Sequence, residues 1–246
     1  MRSILFTRLG GKHEIPRANG FTIEWFGSYA QARLDDPLLR EMLFRNNGDG
    51  SYTLDQAESG KFQFFKLTDN TGSGGLDFTA PFKQWRGLDA RFKFGGWAEG
   101  KRRNFATRAF DYELDPSIGM PTGRGDIINP DTIGGGQNVN QGGTQPFTLK
   151  EFTRAKDSYN GNQSVYAGYA LLDLPMVRWF RIVGGARFEA NDIRVSPYDI
   201  YGRTIEETDR ATLKNRNVLP SASLIFSPTS KMNIRLVGAE TVARPE

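Results

Sequence analysis

The sequence of 246 residues contains no cysteine and only one histidine, His13. The lack of thiols excludes a disulfide framework and thiolate metal ligands, and a zinc site would need carboxylates for nearly every ligand. Catalysis needs a group activated by a partner within hydrogen-bond reach, and His13, in a glycine-rich bend, is better interpreted as an ordinary strand residue. We therefore predict that the chain is not an enzyme and has no catalytic residue, no metal site and no cofactor.

The chain also lacks long hydrophobic runs, and none approaches the roughly 20 apolar residues of a membrane-spanning helix. Only 38% of the residues are hydrophobic and the mean hydropathy is −0.51, values that alone favour a soluble protein. A transmembrane β-barrel, however, alternates apolar with polar residues, so low hydropathy does not exclude one. The first 15 residues lack the apolar core of a signal peptide, so we expect them to be internal to a longer protein.

The chain also has no large excess of charge of one sign, since it contains 32 Lys and Arg and 28 Asp and Glu, for a net charge of +4. The two signs are interleaved along the whole chain, and the densest basic run is Lys101, Arg102 and Arg103. A nucleic-acid-binding protein gathers its basic residues on one surface. We therefore predict no nucleic-acid partner.

What the sequence does have is apolar/polar alternation with a period of two, typical of β-strands. Two of the clearest runs are residues 179–193 and the hairpin within residues 217–246. In the first run Phe180, Ile182 and Phe188 share one face, and Arg181 and Arg187 share the other. An arginine facing lipid near the bilayer midplane costs roughly 2–4 kcal/mol, so the charged face should be the lumen.

The pattern predicts an all-β fold, an antiparallel transmembrane β-barrel segment of about eight strands, occupying residues 1–246 as one domain. Short periplasmic turns should alternate with long extracellular loops, and Trp85, Trp179 and Phe180 should form an aromatic girdle beside the short turns. The strands are predicted at residues 3–15, 21–34, 61–82 with a break near 70–75, 88–97 continuing to 112, 162–172, 179–193 and twice within 217–246. The turns are predicted at 16–20, 83–87, 174–177 and 227–230, and the long connections at 35–60, with a helical piece at 37–44, at 114–162 and at 196–216.

The amino-acid sequences of several of these strands also resemble those of one known family. The tail reads VLPSASLIFSP and then MNIRLVGAETVARPE, and the middle reads SVYAGYALLDLP followed by RIVGGARFEAN. Upstream stand FTIEWFGSYAQARLDDP and FKFGGWAEGKRRNFATRAFDYE. This ordered set resembles the barrel strands of TonB-dependent outer-membrane receptors, and it spans nearly the whole chain.

The resemblance implies a barrel of about 22 strands filled by a plug, in the outer membrane of a Gram-negative bacterium. Such receptors import siderophores, cobalamin, haem or glycans with energy from the TonB complex. The sequence would be an internal barrel fragment, without the plug and without the final strands. Its partners would be outer-membrane lipid, lipopolysaccharide and the parent receptor's ligand, and TonB would act only through the missing plug.

Three arginines are the candidate binding residues, namely Arg102, Arg103 and Arg108. They should lie at the extracellular end and could meet an anionic ligand. Pairing with lipopolysaccharide phosphates, or with neighbouring carboxylates such as Glu99 and Asp111, explains them equally well.

Two other functions fit the same strands. A small autonomous barrel of eight strands would have a structural or adhesive role. A soluble β-sandwich would be a binding module, and its apolar side chains would be an ordinary core.

Overall fold

The computed structural model describes residues 1–41, 43–50, 52–54, 61–114, 147–229 and 231–243. Within these ranges the regular structure is antiparallel β-sheet, with 3-10 turns at Pro16–Ala18 and Glu207–Asp209. None of the described residues belongs to a helix long and apolar enough to cross a bilayer. The prediction of an all-β antiparallel fold is therefore confirmed. The strands are β1 (Arg2–Ile15), β2 (Phe21–Glu41), β3 (Phe44–Asn46), β4 (Tyr52–Leu54), β5 (Lys61–Lys83), β6 (Asp89–Leu114), β7 (Phe147–Glu151), β8 (Ser158–Val177), β9 (Phe180–Tyr198), β10 (Ala211–Thr229) and β11 (Met232–Ala239).

Eight long strands form one sheet in the order β1-β2-β5-β6-β8-β9-β10-β11, and β7 extends it beside β6. Strands β3 and β4 form a separate small hairpin. Each long strand pairs with the long strand that follows it in the chain, as in a meander. In the described part of the chain β1 and β11 do not pair with each other, so the sheet is barrel-like but open. The long strands of the described ranges all belong to one sheet, which differs from the two packed sheets of a β-sandwich.

The connections differ strongly between the two ends of the sheet. One end, the short-turn end, carries the tight links β1–β2, β5–β6, β8–β9 and β10–β11. The opposite end, the long-loop end, carries the links β2–β5, β6–β8 and β9–β10. Trp85 and Trp179 stand in two of the tight turns and are 68% and 53% exposed, as expected for residues beside the short turns.

Proline and glycine positions account for most of the differences from the predicted boundaries. The helical piece predicted at 37–44 is wrong, because β2 continues to Glu41 with a register shift between Asp36 and Leu39. Pro37 lies at this irregularity, since a residue without an N–H cannot continue the ladder but is tolerated at a bulge. The break predicted near 70–75 is also wrong, because β5 runs unbroken through its glycines.

The remaining differences lengthen the strands. The turn predicted at 174–177 lies within β8, which shifts register between Pro175 and Val177, and the chain reverses instead at 178–179. Strand β8 begins at Ser158, β9 extends to Tyr198 and β10 begins at Ala211, so the loops predicted at 114–162 and 196–216 are shorter. Part of the first loop, residues 115–146, lies outside the described residues.

The register makes the two faces of the sheet continuous from strand to strand. Directly paired residues share a face, and one row reads Phe78, Phe94, Ala170, Ala186 and Pro220 across five strands. We call this side the apolar face and the opposite side the polar face. Further residues on the apolar face are Trp25, Leu76, Phe92, Tyr166, Leu172, Ile182, Phe188, Val218, Leu224 and Leu236.

Apolar side chains are exposed and polar side chains are buried in this sheet, the reverse of the arrangement in a soluble protein. On the apolar face Tyr166 is 61% exposed and Val218 62% exposed. On the polar face Glu189 and Asn191 are only 3% and 2% exposed. Among the described residues no second layer covers the polar face, so we infer that the curvature of the sheet buries these side chains. The sheet is therefore convex on its apolar side and concave on its polar side.

A close approach on the concave side requires glycine at position 95. A Cβ there would lie 2.5 Å from the Leu76 carbonyl oxygen and 2.8 Å from the Tyr169 ring. The ring fills the space over Gly95, and the Tyr169 hydroxyl donates a hydrogen bond of 2.6 Å to the Asp77 carboxylate. An aromatic side chain over a glycine of the neighbouring strand thus helps to fix the register of β5, β6 and β8.

We predict that Gly95→Ala lowers the free energy of unfolding by about 1–3 kcal/mol, because the added methyl group forces the backbone and the Tyr169 ring apart. Gly72→Ala is the matched control, since a Cβ at Gly72 meets nothing within 4 Å. Denaturant unfolding in detergent micelles, followed by tryptophan fluorescence, measures both. Equal stabilities for the two variants would contradict the close approach.

Candidate functional site

The polar face carries charged and hydroxyl side chains that pair with each other. Arg181 lies 3.2 Å from the carboxylate of Asp173, and Arg187 lies 3.2 Å from that of Glu189. Both arginines therefore lie on the face that the alternation predicts for them. The Ser28 and Ser73 hydroxyls are 2.7 Å apart on the same side of the sheet. The carboxylates of these pairs are the buried partners, with Asp173 17% and Glu189 4% exposed, and a buried charge requires such a partner.

Towards the long-loop end, a cationic cluster on this face surrounds one carboxylate. Arg103 donates two hydrogen bonds of 2.8 Å to Asp69, one from Nε and one from Nη2. Lys101 lies 3.6 Å from the same carboxylate. Asp69 accepts a bidentate pair from a guanidinium, the strongest geometry available to it, whereas Lys101 is held less closely.

A cavity of about 330 Å³ opens beside this cluster. Strands β6, β8, β9 and β10 all contribute to it, so it depends on the register of four neighbouring strands. The residues lining it are Lys101, Arg103, Tyr159, Gly161, Asn162, Gln163, Ile193, Val195 and Leu213. We call it the wall pocket.

Next to the wall pocket lies a buried amide with an unused donor. Asn191 Oδ1 accepts a hydrogen bond of 3.2 Å from Gln163 Nε2. The Asn191 Nδ2 group is buried and has no hydrogen-bond partner in the described part of the chain. A buried N–H without an acceptor costs roughly 1–3 kcal/mol, so this amide is a locally unfavourable group among the described residues.

The three arginines singled out from the sequence lie in three different places. Arg103 is on the polar face, bonded to Asp69. Arg102 is on the apolar face, opposite Asn70 and Asn162, and is exposed. Arg108 lies further towards the long loops, where it pairs with Glu151. The structure therefore does not bring them together into a single site, and their binding role stays a prediction.

Arg108 and Glu151 form the centre of a clamp between strands and loop. Two guanidinium nitrogens of Arg108 donate to the carboxylate at 3.2 and 3.0 Å. The carboxylate also accepts from the Thr153 hydroxyl at 2.8 Å and from the Tyr201 hydroxyl. The hydrogen bond from Arg108, with those from Tyr201 and Thr153, outweighs desolvation and lowers the pKa of Glu151 to about 2.

Further polar contacts hold the β9–β10 loop, residues 199–210, to the same region. Arg203 Nη2 donates 3.1 Å to the Thr153 carbonyl and 2.8 Å to Asp199. Lys156 Nζ lies 2.6 Å from Asp209 at the far end of the loop. The loop is thus tied down at both of its ends.

His13 lies on the apolar face, in the row of Phe78 and Phe94. Its Nε2 atom accepts a hydrogen bond of 3.1 Å from Trp25 Nε1, so two polar groups on an apolar surface satisfy each other. This contact agrees with its interpretation as a strand residue. Among the described residues no group of three or more His, Cys, Asp or Glu side chains is placed to hold a metal ion.

The alternation of faces along β6 already indicated part of the wall pocket, but the three consecutive basic residues look like a single group in the sequence. Neighbouring residues on a strand face opposite sides, so Lys101 and Arg103 had to share a face and Arg102 had to oppose them. Asp69, Gln163 and Asn191 come from other strands, and only the register brings them to this point. Their contribution could not be predicted without the strand pairing.

Comparison with known proteins gives structural likenesses but no sequence match. No family model matches the chain, and no curated protein matches it. Among solved structures, the siderophore receptor PiuA from Acinetobacter baumannii is similar at 16% sequence identity with a TM-score of 0.49. The likeness covers 93% of this chain and 30% of the receptor chain. The chain spans less than a third of that receptor's length.

We predict that Glu151→Gln speeds amide hydrogen exchange in residues 199–210 by about threefold to tenfold at neutral pH. A neutral amide cannot replace the carboxylate charge that pairs with Arg108 and accepts the hydrogen bond from Tyr201. Solvent screening limits the stability that the loop loses. Glu207→Gln is the control, because the Glu207 carboxylate belongs to the same loop but is exposed and makes only a long ion pair, 3.6 Å, with Arg210. Hydrogen-exchange mass spectrometry compares them, and equal effects would show that the clamp does not hold the loop.

Proposed function

We propose that this chain is part of the wall of a TonB-dependent receptor in the outer membrane of a Gram-negative bacterium. The whole protein would bind a nutrient complex, such as a siderophore, cobalamin, haem or a glycan, and import it with TonB-derived energy. The chain itself would supply wall and binding surface and no catalytic step. TonB would act through a plug region.

The observation that carries the proposal is the reversed exposure of the sheet. An apolar convex face and a polar concave face match a barrel whose outside meets lipid and whose inside meets water. In water the same arrangement would expose a large apolar patch, which soluble monomers rarely tolerate. A soluble sandwich module is disfavoured for the same reason.

The height of the apolar surface supports a membrane span. On β6 the apolar-face residues from Ala90 to Gly100 carry no polar side chain, and Arg102 and Asn104 come next. At about 3.3 Å per residue this stretch is about 33 Å long. With the strand tilt of outer-membrane barrels it becomes a band about 25 Å tall, the usual height of their apolar belt.

Residues at the two borders of the band also fit this setting. Trp179 packs edge-on against Phe226 at 5.3 Å beside a short turn, where an aromatic girdle would meet the periplasmic interface. At the other border, Arg102 and Arg194 lie in one row with Asn162 between them. Arg194 already pairs with Asp192 at 3.3 Å, so Arg102 is the arginine of this row that would meet a phosphate group of a lipopolysaccharide headgroup.

The first test asks which face meets lipid. Single-tryptophan variants retain Trp25 on the apolar face or Trp97 on the polar face, with the other tryptophans replaced by phenylalanine. In vesicles with brominated acyl chains we expect strong quenching of Trp25 and weak quenching of Trp97, because contact with bromine requires exposure to the hydrocarbon. Acrylamide, an aqueous quencher, should give the opposite order. If neither tryptophan responds to the brominated lipid, the membrane proposal is wrong.

The second test concerns the lipid headgroup. Adding lipopolysaccharide to the protein in detergent micelles should raise its Tm, and Arg102→Gln should remove about half of that rise, because a phosphate contact is lost. Arg91→Gln, on the polar face of the same strand, should keep the full rise. If Arg102→Gln keeps it too, phosphate binding at this row is excluded.

A further inference from the structure

The apolar face carries a groove of about 950 Å³ over the middle of β5, β6 and β8. Leu76, Tyr166 and Phe188 line it with exposed side chains that belong to this face. Phe26 and Trp97 also line it, although their alternation places them on the polar face, next in the chain to groove residues. We call this groove the furrow. In the proposed function, on which this inference rests, the furrow faces lipid.

The strand register gives the furrow its walls and its floor. One row of paired residues crosses it and reads, strand by strand, Trp25, Leu76, Gly96, Gly168 and Phe188. Two large side chains therefore stand on one side of a pair of glycines, and an aromatic ring stands on the other. The furrow is a depression in the apolar surface, deepest where β6 and β8 meet.

Contacts within the sheet hold the walls in place. Trp25 Nε1 donates a hydrogen bond of 3.1 Å to His13 Nε2, which fixes the indole ring at one side. Phe78 lines the furrow at the side nearer the short turns, and its ring stacks on Phe94 with 4.9 Å between the centroids. Walls fixed in this way do not collapse into the space between them, so the floor keeps room for an atom group from outside the chain.

The packing of the sheet does not demand glycine on the floor. A Cβ at Gly96 would lie 3.5 Å from the Ala167 carbonyl oxygen, and one at Gly168 would lie 3.7 Å from the Gly95 carbonyl oxygen. Both distances are ordinary contacts, and neither glycine has a positive φ. Glycine inside a strand weakens it, and one of its uses is to let a ligand approach the backbone closely.

Charge complementarity identifies the occupant. Towards the long-loop end the furrow is open, because a Cβ at Gly72 or at Gly100 would meet nothing within 4 Å. The next residue of this face on β6 is Arg102, which is exposed and has no ion pair with the described residues. From Arg102 to Gly96 the strand spans six residues, about 20 Å. An occupant with an anionic head and a straight apolar chain of this length fits both ends.

The membrane setting decides which part of such a lipid gives affinity. An acyl chain gains no hydrophobic free energy by moving from neighbouring lipid into the furrow, so the gain comes from close packing against the floor and the walls. Selection of one lipid over another comes from its headgroup at Arg102. The long-loop end is the extracellular end in the proposed function, and the lipid of that side is lipopolysaccharide.

We propose that the furrow holds one acyl chain of a lipopolysaccharide molecule whose phosphate group meets Arg102. The chain runs along β6 towards Gly96, between the rings of Trp25 and Phe188. The lipid is therefore bound at a fixed place on the receptor wall and is distinct from the lipids that exchange freely around it.

The test fills the furrow and measures binding of lipid A, the acylated anchor of lipopolysaccharide, to the full chain in detergent micelles by native mass spectrometry. Gly96→Leu should weaken this binding about fivefold, because the new side chain occupies the space of the acyl chain. Gly184→Leu is the matched control. A Cβ at Gly184 would lie 3.6 Å from the Ser221 carbonyl oxygen, and Gly184 is on the same face but does not line the furrow.

A second probe separates the chain from the headgroup. Lipid A stripped of its acyl chains keeps the phosphates, so Gly96→Leu should leave its weaker binding unchanged and Arg102→Gln should reduce it. Phosphatidylglycerol, an anionic lipid of a different source, should bind more weakly than lipid A. A full effect of Gly96→Leu on the stripped probe would show that the variant disturbs the protein and not the chain site.

Three results would overturn the furrow proposal. They are equal binding of lipid A by Gly96→Leu and Gly184→Leu, equal binding of phosphatidylglycerol and lipid A, and a lipid-free dimer that Gly96→Leu dissociates, which would assign the furrow to a second copy of the chain. If Trp25 is quenched by brominated lipid while Gly96→Leu binds lipid A normally, the furrow proposal is wrong and the membrane function stands. If Trp25 is not quenched, the membrane function itself is wrong.

Discussion

The rest of the structure depends on one constraint, the antiparallel ladder that joins eight strands and shifts register only near strand ends in the described part of the chain. Side chains alternate with a period of two, so a slip by one residue in any pair would exchange the faces. Such a slip at β6 would bring Arg91 and Lys93 to the apolar surface and Phe92 and Phe94 to the concave one. The close approach at Gly95 and the ring of Tyr169 oppose that slip locally. The apolar band, the paired charges and the wall pocket all follow from the same pairing.

The two edge strands of the sheet carry backbone N–H and C=O groups that the ladder does not pair. Strands β1 and β11 are paired on one side only, and nearly all of their residues are exposed. In hydrocarbon an unpaired N–H or C=O group costs several kcal/mol, so a spanning sheet is stable only when both of its edges find neighbours. In the proposed setting the edges must pair with further strands. The wall pocket begins three strands from β1, and its far wall, Leu213, lies in the part of β10 that β11 does not pair with.

Much of this fold could be predicted from the alternation, and the exceptions have local causes. The all-β class, the two faces and the contrast between short turns and long loops follow from residues such as Phe180, Arg181 and Ile182. The misplaced boundaries fall at Pro37, Pro175 and the glycines of β5, where composition indicates a turn but the neighbouring strand keeps the ladder. The site was less predictable. Arg102, Arg103 and Arg108 look like one basic group in the sequence, whereas strand geometry places Arg103 on the concave face. Arg102 and Arg108 lie on the other face, six residues apart, and Arg108 belongs to the clamp.

Arg102 and Arg103 lie on opposite faces of the sheet, and their different surroundings explain the arrangement of charge near the long-loop end. On the concave face Arg103 is only 29% exposed, and it has a bidentate partner in Asp69. A charge just above the apolar band is hydrated or meets headgroups, so Arg102 is stable without an ion pair from the described residues. Lys101 is the intermediate case, since it shares a carboxylate already committed to Arg103. Charge pairing in this part of the concave face is therefore uneven, because one carboxylate, Asp69, serves two cations and its bidentate geometry belongs to Arg103.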